Sequence, residues 1–169
     1  SSPCDAILNS MQRLKQTGII LAFILGTELA GIIGSIFTVD SIPTWYVTLV
    51  TPAWNPPSWI FGPVWTILFA LMGIAAYLVW RKRTHNKGTR SSLVFYGIQL
   101  IFNTLWSIIF FGLKNPGLAF ADIIILLLMI VVTTVKFWKI DRYAGILFLP
   151  YLLWVSFATV LNFAIWQMN

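Results

Sequence analysis

The chain has 169 residues, 59% of them hydrophobic and 9% charged, with a mean hydropathy of +0.85 and a formal net charge of +6. Soluble domains carry about 25% charged residues, so the composition excludes an ordinary water-soluble fold and points to lipid. A single cysteine, Cys4, excludes an intrachain disulfide.

Five apolar segments set the expected architecture: 18–37, 60–80, 92–113, 117–135 and 145–167. Each is close to the ~20 residues that cross a hydrocarbon core as a helix, and lipid leaves no partner for unpaired backbone groups. The expected fold is therefore an all-α membrane protein, one integral-membrane domain over residues 1–169 forming a five-helix bundle. The first segment holds one ionisable group, Glu28, in mid-run, and lacks a small-x-small exit, so a cleaved signal peptide is not expected. Nearly opposite Glu28 run Ala22, Gly26, Ala30 and Gly34, a small-xxx-small stripe of the kind that lets helices approach closely. Glu28 then points into the bundle, either as a structural hydrogen-bonding group or as a ligand or proton site.

The connection that follows, "TVDSIPTWYVTLVTPAWNPPSW", exceeds the roughly 2–8 residues of a minimal helix connection. It contains no Lys or Arg. Its prolines and aromatics predict a folded lid over one end of the bundle. Pro56 and Pro57 suit the first turn of the second span, with Asn55 as its cap. Pro63, inside the apolar run, is expected to bend or interrupt that helix. Beyond it, Trp65, Phe69 and Met72 share a face.

Arg81, Lys82, Arg83, Lys87 and Arg90 follow the second span. With Arg13 and Lys15 before the first, and Lys136, Lys139 and Arg142 after the fourth, they place ten of the eleven basic residues on one side. By the positive-inside rule the N-terminus and loops 81–91 and 136–144 are cytoplasmic and the C-terminus is outside. The pI near 9.8 is thus a topology signal, and nucleic acid is not an expected partner.

On the third span Gln99, Asn103 and Trp106 form one stripe. On the fifth, Trp154, Ala158, Leu161 and Ile165 form another, with Asn162 at its edge. The orientation puts Trp65 and Asp122 in the outer half and Asn103 and Trp154 near the midplane, where all four converge beneath the lid. Aromatic walls with a few fixed polar points describe a site for a flat, largely apolar molecule; ordinary helix packing is the competing reading of the same stripes. Asp122, in the first turns of the fourth span, also fits a structural role near the positive helix terminus. No His/Cys/carboxylate grouping has metal-ligand spacing, no nucleophile has a base beside it, and His85 lies alone in the basic loop. No metal and no required cofactor are expected.

Taken together, "WYVTLVTPAWNPPSWIFGPVWTILF", "QLIFNTLW", "FFGLKNPGLAFAD" and "PYLLWVSFATVLNFAIW" resemble the translocator protein family. Its bacterial members are called tryptophan-rich sensory proteins, and it was once known as the peripheral benzodiazepine receptor family. The resemblance implies a five-helix bundle, commonly dimeric, whose pocket is closed by the loop after the first span. It also implies ligands: porphyrins such as protoporphyrin IX, haem-type tetrapyrroles, cholesterol and synthetic flat molecules. Carried over by motif, the pocket comprises Trp54 and Trp59 from the lid, Trp65, Asn103, Trp106, Trp154, Ala158 and Leu161. Some bacterial members degrade protoporphyrin in light, and Trp65 and Trp154 match the tryptophans implicated.

This chain departs from the family at three places. Phe163 and Gln167 replace the Tyr and Arg of the animal cholesterol stretch, a motif that is weak even when intact. Ser107 and Ile108 stand where many members have proline, so the third span is expected to end straighter. The glycine pair linked to dimer contacts on the third span is missing, which directs an expected homodimer to the Ala22–Gly34 stripe. The implied function is a multi-pass receptor or sensor for tetrapyrroles in a lipid bilayer, in a prokaryotic cell membrane by its charge pattern. Light-dependent porphyrin degradation and transport of porphyrins, sterols or other lipophilic molecules are the alternatives.

Overall fold

In lipid, long helices alone satisfy every backbone group within one segment, and the chain uses five: α1 (Pro3–Thr38), α3 (Phe61–Trp80), α4 (Thr89–Ser107), α5 (Pro116–Ile140) and α6 (Arg142–Met168). A short α2 (Ser41–Thr44) and two 3-10 turns shape the loop between α1 and α3. This computed structural model describes residues 3–169. All five long helices are long and apolar enough to cross a membrane. Around the bundle they follow the order α1, α3, α6, α5, α4, and α4 closes back on α1.

Three boundaries differ from the sequence expectation. α1 begins at Pro3, fifteen residues ahead of its apolar run, with Asp5 in its first turn. Proline and an acid suit a helix start, and Ile7, Leu8, Met11 and Leu14 continue the helical period through a polar stretch. Pro63 falls in the first turn of α3, where a missing N–H costs nothing, so the helix is not interrupted there. Pro56 and Pro57 precede a 3-10 turn, Ser58–Ile60, and α3 starts with no side-chain cap; Asn55 instead accepts a hydrogen bond from the Tyr46 hydroxyl at 3.0 Å.

The third span does not keep the α-helical period to its end. α4 passes into a π turn, Ile108–Gly112, closed by Leu113 N–H donating to Ile108 O at 2.9 Å. The wider turn lets the consecutive Phe110 and Phe111 both be buried. Lys114 then adopts a left-handed φ of 53°, and Asn115 caps α5 by accepting from Leu118 N–H at 2.9 Å, with Pro116 at the first helical position.

The half of the bundle nearest the basic loops is solid. Met72, Ala75, Ala76, Val79, Phe137, Phe148 and Tyr151 are fully buried there. α1 lies against α3 because Gly73 has no side chain: a Cβ there would sit 2.6 Å from Ile24 Cα and 3.0 Å from Phe23 O. Both are backbone atoms, so a methyl can fit only if the two helices separate. Gly73→Ala is expected to cost about 1–3 kcal/mol, seen as a lower thermal unfolding midpoint in detergent. An unchanged midpoint would contradict this close crossing.

The small-residue stripe of α1 does not stay on one face, because four-residue steps advance a helix by about 40° beyond a full turn. Ala22 and Gly26 are exposed, with nothing within 4 Å of a Cβ at Gly26, whereas Gly34 is buried and a Cβ there would meet Ser107 Oγ at 3.1 Å. Ala30 is half-buried and its carbonyl accepts from Thr104 Oγ1 at 3.2 Å.

At the basic end, Asp141 caps α6 by accepting from Tyr143 and Ala144 N–H at 2.9 and 3.3 Å, and pairs with Lys82 at 2.9 Å. Burial pushes its carboxyl up, but the Lys82 hydrogen bond, the two backbone donors and the Lys82 charge outweigh it and hold the group below the usual carboxylate value. A depressed folded value stabilises above the unfolded value of about 3.9 and is lost as pH falls through the folded one. Asp141→Asn is therefore expected to lower stability by about 1–2 kcal/mol at neutral pH, with the gap to wild type closing as the pH falls below the carboxylate range. A gap unaffected by acid would contradict the ion pair.

Candidate functional site

Above the filled half, toward the lid, the bundle is hollow. A cavity of roughly 310 Å³ lies between α1, α3, α4, α6 and the lid, at the low end of the range for small-molecule sites. Helix positions explain it. Gly31 and Gly34 let the Phe69 ring and Ser107 come close to α1, and Ala158 leaves a gap on α6 between Trp154 and Asn162.

The walls are aromatic. Trp65 stacks on Phe69 with centroids 5.6 Å apart and meets Tyr151 edge-on at 6.2 Å. One turn along the same α3–α6 seam, Trp154 contacts Phe61 at 6.2 Å and Phe157 at 5.6 Å. Trp106 stacks on Phe110 at 5.2 Å. Such offset and edge-on pairs hold rings in fixed planes, so the slot has defined walls.

Two polar chains run along it. Tyr151 donates to Gln99 Oε1 at 2.7 Å and accepts from Asn103 Nδ2 at 2.8 Å, while Gln99 Nε2 reaches Met72 Sδ at 3.7 Å. Trp106 Nε1 donates to Asn162 Oδ1 at 2.8 Å, and Asn162 Nδ2 donates to Pro116 O at 2.8 Å. Mid-membrane amides need partners, and these find them on neighbouring helices. One donor is left over: Trp154 Nε1 is buried with no hydrogen-bond partner. A buried indole N–H without a partner is unfavourable by about 1–3 kcal/mol.

The lid is fastened at several points. Ser41 Oγ donates to Phe111 O at 2.8 Å. Tyr46 is buried against Phe61, Phe110 and Phe111, and burial raises its hydroxyl above the ordinary value, which keeps it protonated as the donor to Asn55. Asn169 at the end of α6 brackets Val50, accepting from its N–H at 3.0 Å and donating to its carbonyl at 2.9 Å.

Of the residues that the sequence singles out, Trp65, Asn103, Trp106, Trp154 and Ala158 line the cavity together, and Glu28 lies at its edge. Phe69, Asn162 and Ile165 also line it, as do Ala30 and Gly34 of the α1 stripe; four candidate site residues lie elsewhere. Trp54 is 49% exposed and packs edge-on against Phe157, and Trp59 is 75% exposed; the 3-10 turn after Pro57 carries Trp59 outward. Leu161 is buried behind the cavity in a cluster with Tyr46, Phe110 and Ala119. Asp122 is buried on α5, which contributes nothing to the lining, and its Oδ2 has no hydrogen-bond partner. The lid instead presents Ile42 and Tyr46, four residues apart, a helical spacing that was available in the sequence. Phe110 and Phe111 were not, because a regular helix separates neighbouring side chains by about 100°.

The cavity also reaches the side of the bundle. Ile32 and Ser35 on α1 and Gly62 and Thr66 on α3 line it while being exposed on the lipid-facing surface. Gly31 is tight against the Phe69 ring at the cavity wall, and toward the basic end Gly73 is tight against the Ile24 backbone, so α1 and α3 pack closely there.

The profile of the TspO/MBR family matches residues 23–167. The chain is 46% identical over 154 residues to the tryptophan-rich protein TspO of Chlorobaculum tepidum, covering 88% of this chain and 95% of that one. It is 42% identical over 125 residues to a tryptophan-rich sensory protein of Cereibacter sphaeroides, covering 74% and 77%. The human translocator protein is 36% identical over 152 residues, covering 88% and 89%.

Proposed function

Because the chain belongs to the TspO/MBR family of membrane proteins, we propose that it is an integral-membrane receptor for a flat, largely apolar tetrapyrrole such as protoporphyrin IX. The observation that carries this reading is the aromatic cavity lined by Trp65, Trp106 and Trp154. A macrocycle stacks on aromatic rings of this kind, and Trp65, Trp106 and Trp154 supply them. The chain's own residues supply aromatic walls and a fastened cover, and no His or Cys is among the residues that line the cavity.

The gap between α1 and α3 gives such a ligand a way in from the bilayer, where an apolar molecule concentrates. With the basic loops cytoplasmic, the lid closes the slot on the outer side. The names sensory and translocator borne by the relatives fit a protein whose ligand comes through lipid.

The test is tryptophan-fluorescence quenching of the purified protein titrated with protoporphyrin IX. The proposal expects saturation at a one-to-one ratio. Quenching that rises linearly without saturation would mean partition into detergent or onto the surface, and would reject it.

A further inference from the structure

At the basic end, away from the slot, a second hollow of roughly 440 Å³ lies between the end of α3 and the start of α4. Trp80, Arg83, Lys87, Thr89 and Arg90 form its walls, and Leu93 and Val94 lead out of it along α4. The Arg83 guanidinium lies 3.5 Å over the Trp80 ring and donates to Trp80 O at 3.2 Å, which fixes it at the rim. Thr89 is 2% exposed, yet its hydroxyl has no hydrogen-bond partner. Asn86, also on the wall, accepts from Gly88 N–H through Oδ1 at 2.8 Å and from Thr89 N–H through its carbonyl at 3.3 Å, while the Gly88 cap itself brings no side chain to the helix start. Among the described residues the ion pairs are those of Arg81 and Lys82 with Asp141, which leaves Arg83, Lys87 and Arg90 with no carboxylate.

These features ask for one kind of occupant. A helix N-terminus favours an anion, guanidinium forks fit phosphate oxygens, and a buried hydroxyl without a partner is a donor in waiting. The apolar way out is the second half of the specification. Val94 is 53% exposed on the lipid-facing side of α4, where an acyl chain would lie, and Trp80 sits where indoles mark the bilayer interface. A free anion would gain nothing from that apolar track.

We propose that this hollow binds the phosphate headgroup of an anionic phospholipid from the leaflet beside the basic loops. Arg83 and Arg90 grip the phosphate, Thr89 Oγ1 donates to it, and the first turn of α4 faces it. Basic hollows between helix ends commonly hold such headgroups. The site is separate from the aromatic slot and stands whether or not that slot takes a tetrapyrrole.

The full chain in neutral detergent is examined by native mass spectrometry with phosphatidylglycerol, with phosphatidylcholine of the same chains, and with inorganic phosphate as competitor. One phosphatidylglycerol is expected to stay bound in preference to phosphatidylcholine, undisturbed by millimolar phosphate. Thr89→Val and Arg90→Gln are each expected to weaken it about tenfold while leaving phosphatidylcholine retention unchanged. Arg90 is exposed and carries no ion pair, so its variant keeps the test sound should Thr89→Val disturb α4. Equal retention of the two lipids, or retention unchanged in Arg90→Gln, would overturn the site. Displacement by phosphate binding as tightly as the lipid would overturn the lipid assignment.

Discussion

Ala158→Phe is expected to abolish saturable quenching by protoporphyrin IX, weakening binding by more than about a hundredfold, or roughly 2.7 kcal/mol. Ala158 lines the cavity between Trp154 and Asn162 on α6, so a phenyl ring there occupies the space that the ligand needs. Because the ring grows into a void rather than into packed atoms, the variant should keep a thermal midpoint close to wild type. That separates it from a folding defect. Ala158→Gly, which adds nothing to the slot, should bind as wild type does. Saturable binding retained by Ala158→Phe would mean that the ligand sits elsewhere.

The second large effect is on stability. Tyr151→Phe removes the hydroxyl that joins Gln99 to Asn103, at 2.7 and 2.8 Å, in the fully buried centre. The variant leaves an amide oxygen without its donor and an amide N–H without its acceptor, at about 1–3 kcal/mol each. A loss of roughly 2–6 kcal/mol is expected, read as a drop of many degrees in unfolding midpoint. Asn103 lines the cavity, so ligand affinity should fall as well, though less than in Ala158→Phe. A variant as stable as wild type would show that water or a rearranged amide replaces the hydroxyl.

The five spans were legible because lipid requires long unbroken apolar runs, and the lengths of those runs alone give the helix count. Trp65, Asn103, Trp106, Trp154 and Ala158 were legible for a related reason. Residues on one helical stripe share a face, and a tryptophan next to an alanine leaves a gap. What spacing cannot reveal is which stripes meet. Tyr151 is 52 positions from Gln99, and no periodicity links them, so the amides of α4 could be read equally as ligand contacts or as packing. They are largely packing: Gln99 and Asn103 are bound to Tyr151, and Trp106 to Asn162.

The lid was harder to read for a different reason. Its tryptophans drew attention because large aromatics usually mark a pocket, yet Trp54 and Trp59 lie toward its outside and Tyr46 turns in. Side-chain direction in an irregular loop depends on each turn, and the 3-10 turns at Tyr46–Thr48 and Ser58–Ile60 have no sequence period. The π turn at Ile108–Gly112 is a similar case: its extra residue breaks the period that would have placed Phe110 and Phe111.

The most direct measurement is an electron-density map of the protein with protoporphyrin IX bound in a lipid environment. The macrocycle is expected in the cavity beside Ala158, against the rings of Trp65 and Trp154 and beneath Tyr46. Density for the macrocycle on the outer, lipid-facing surface, with side chains closed over the space beside Ala158, would contradict that placement.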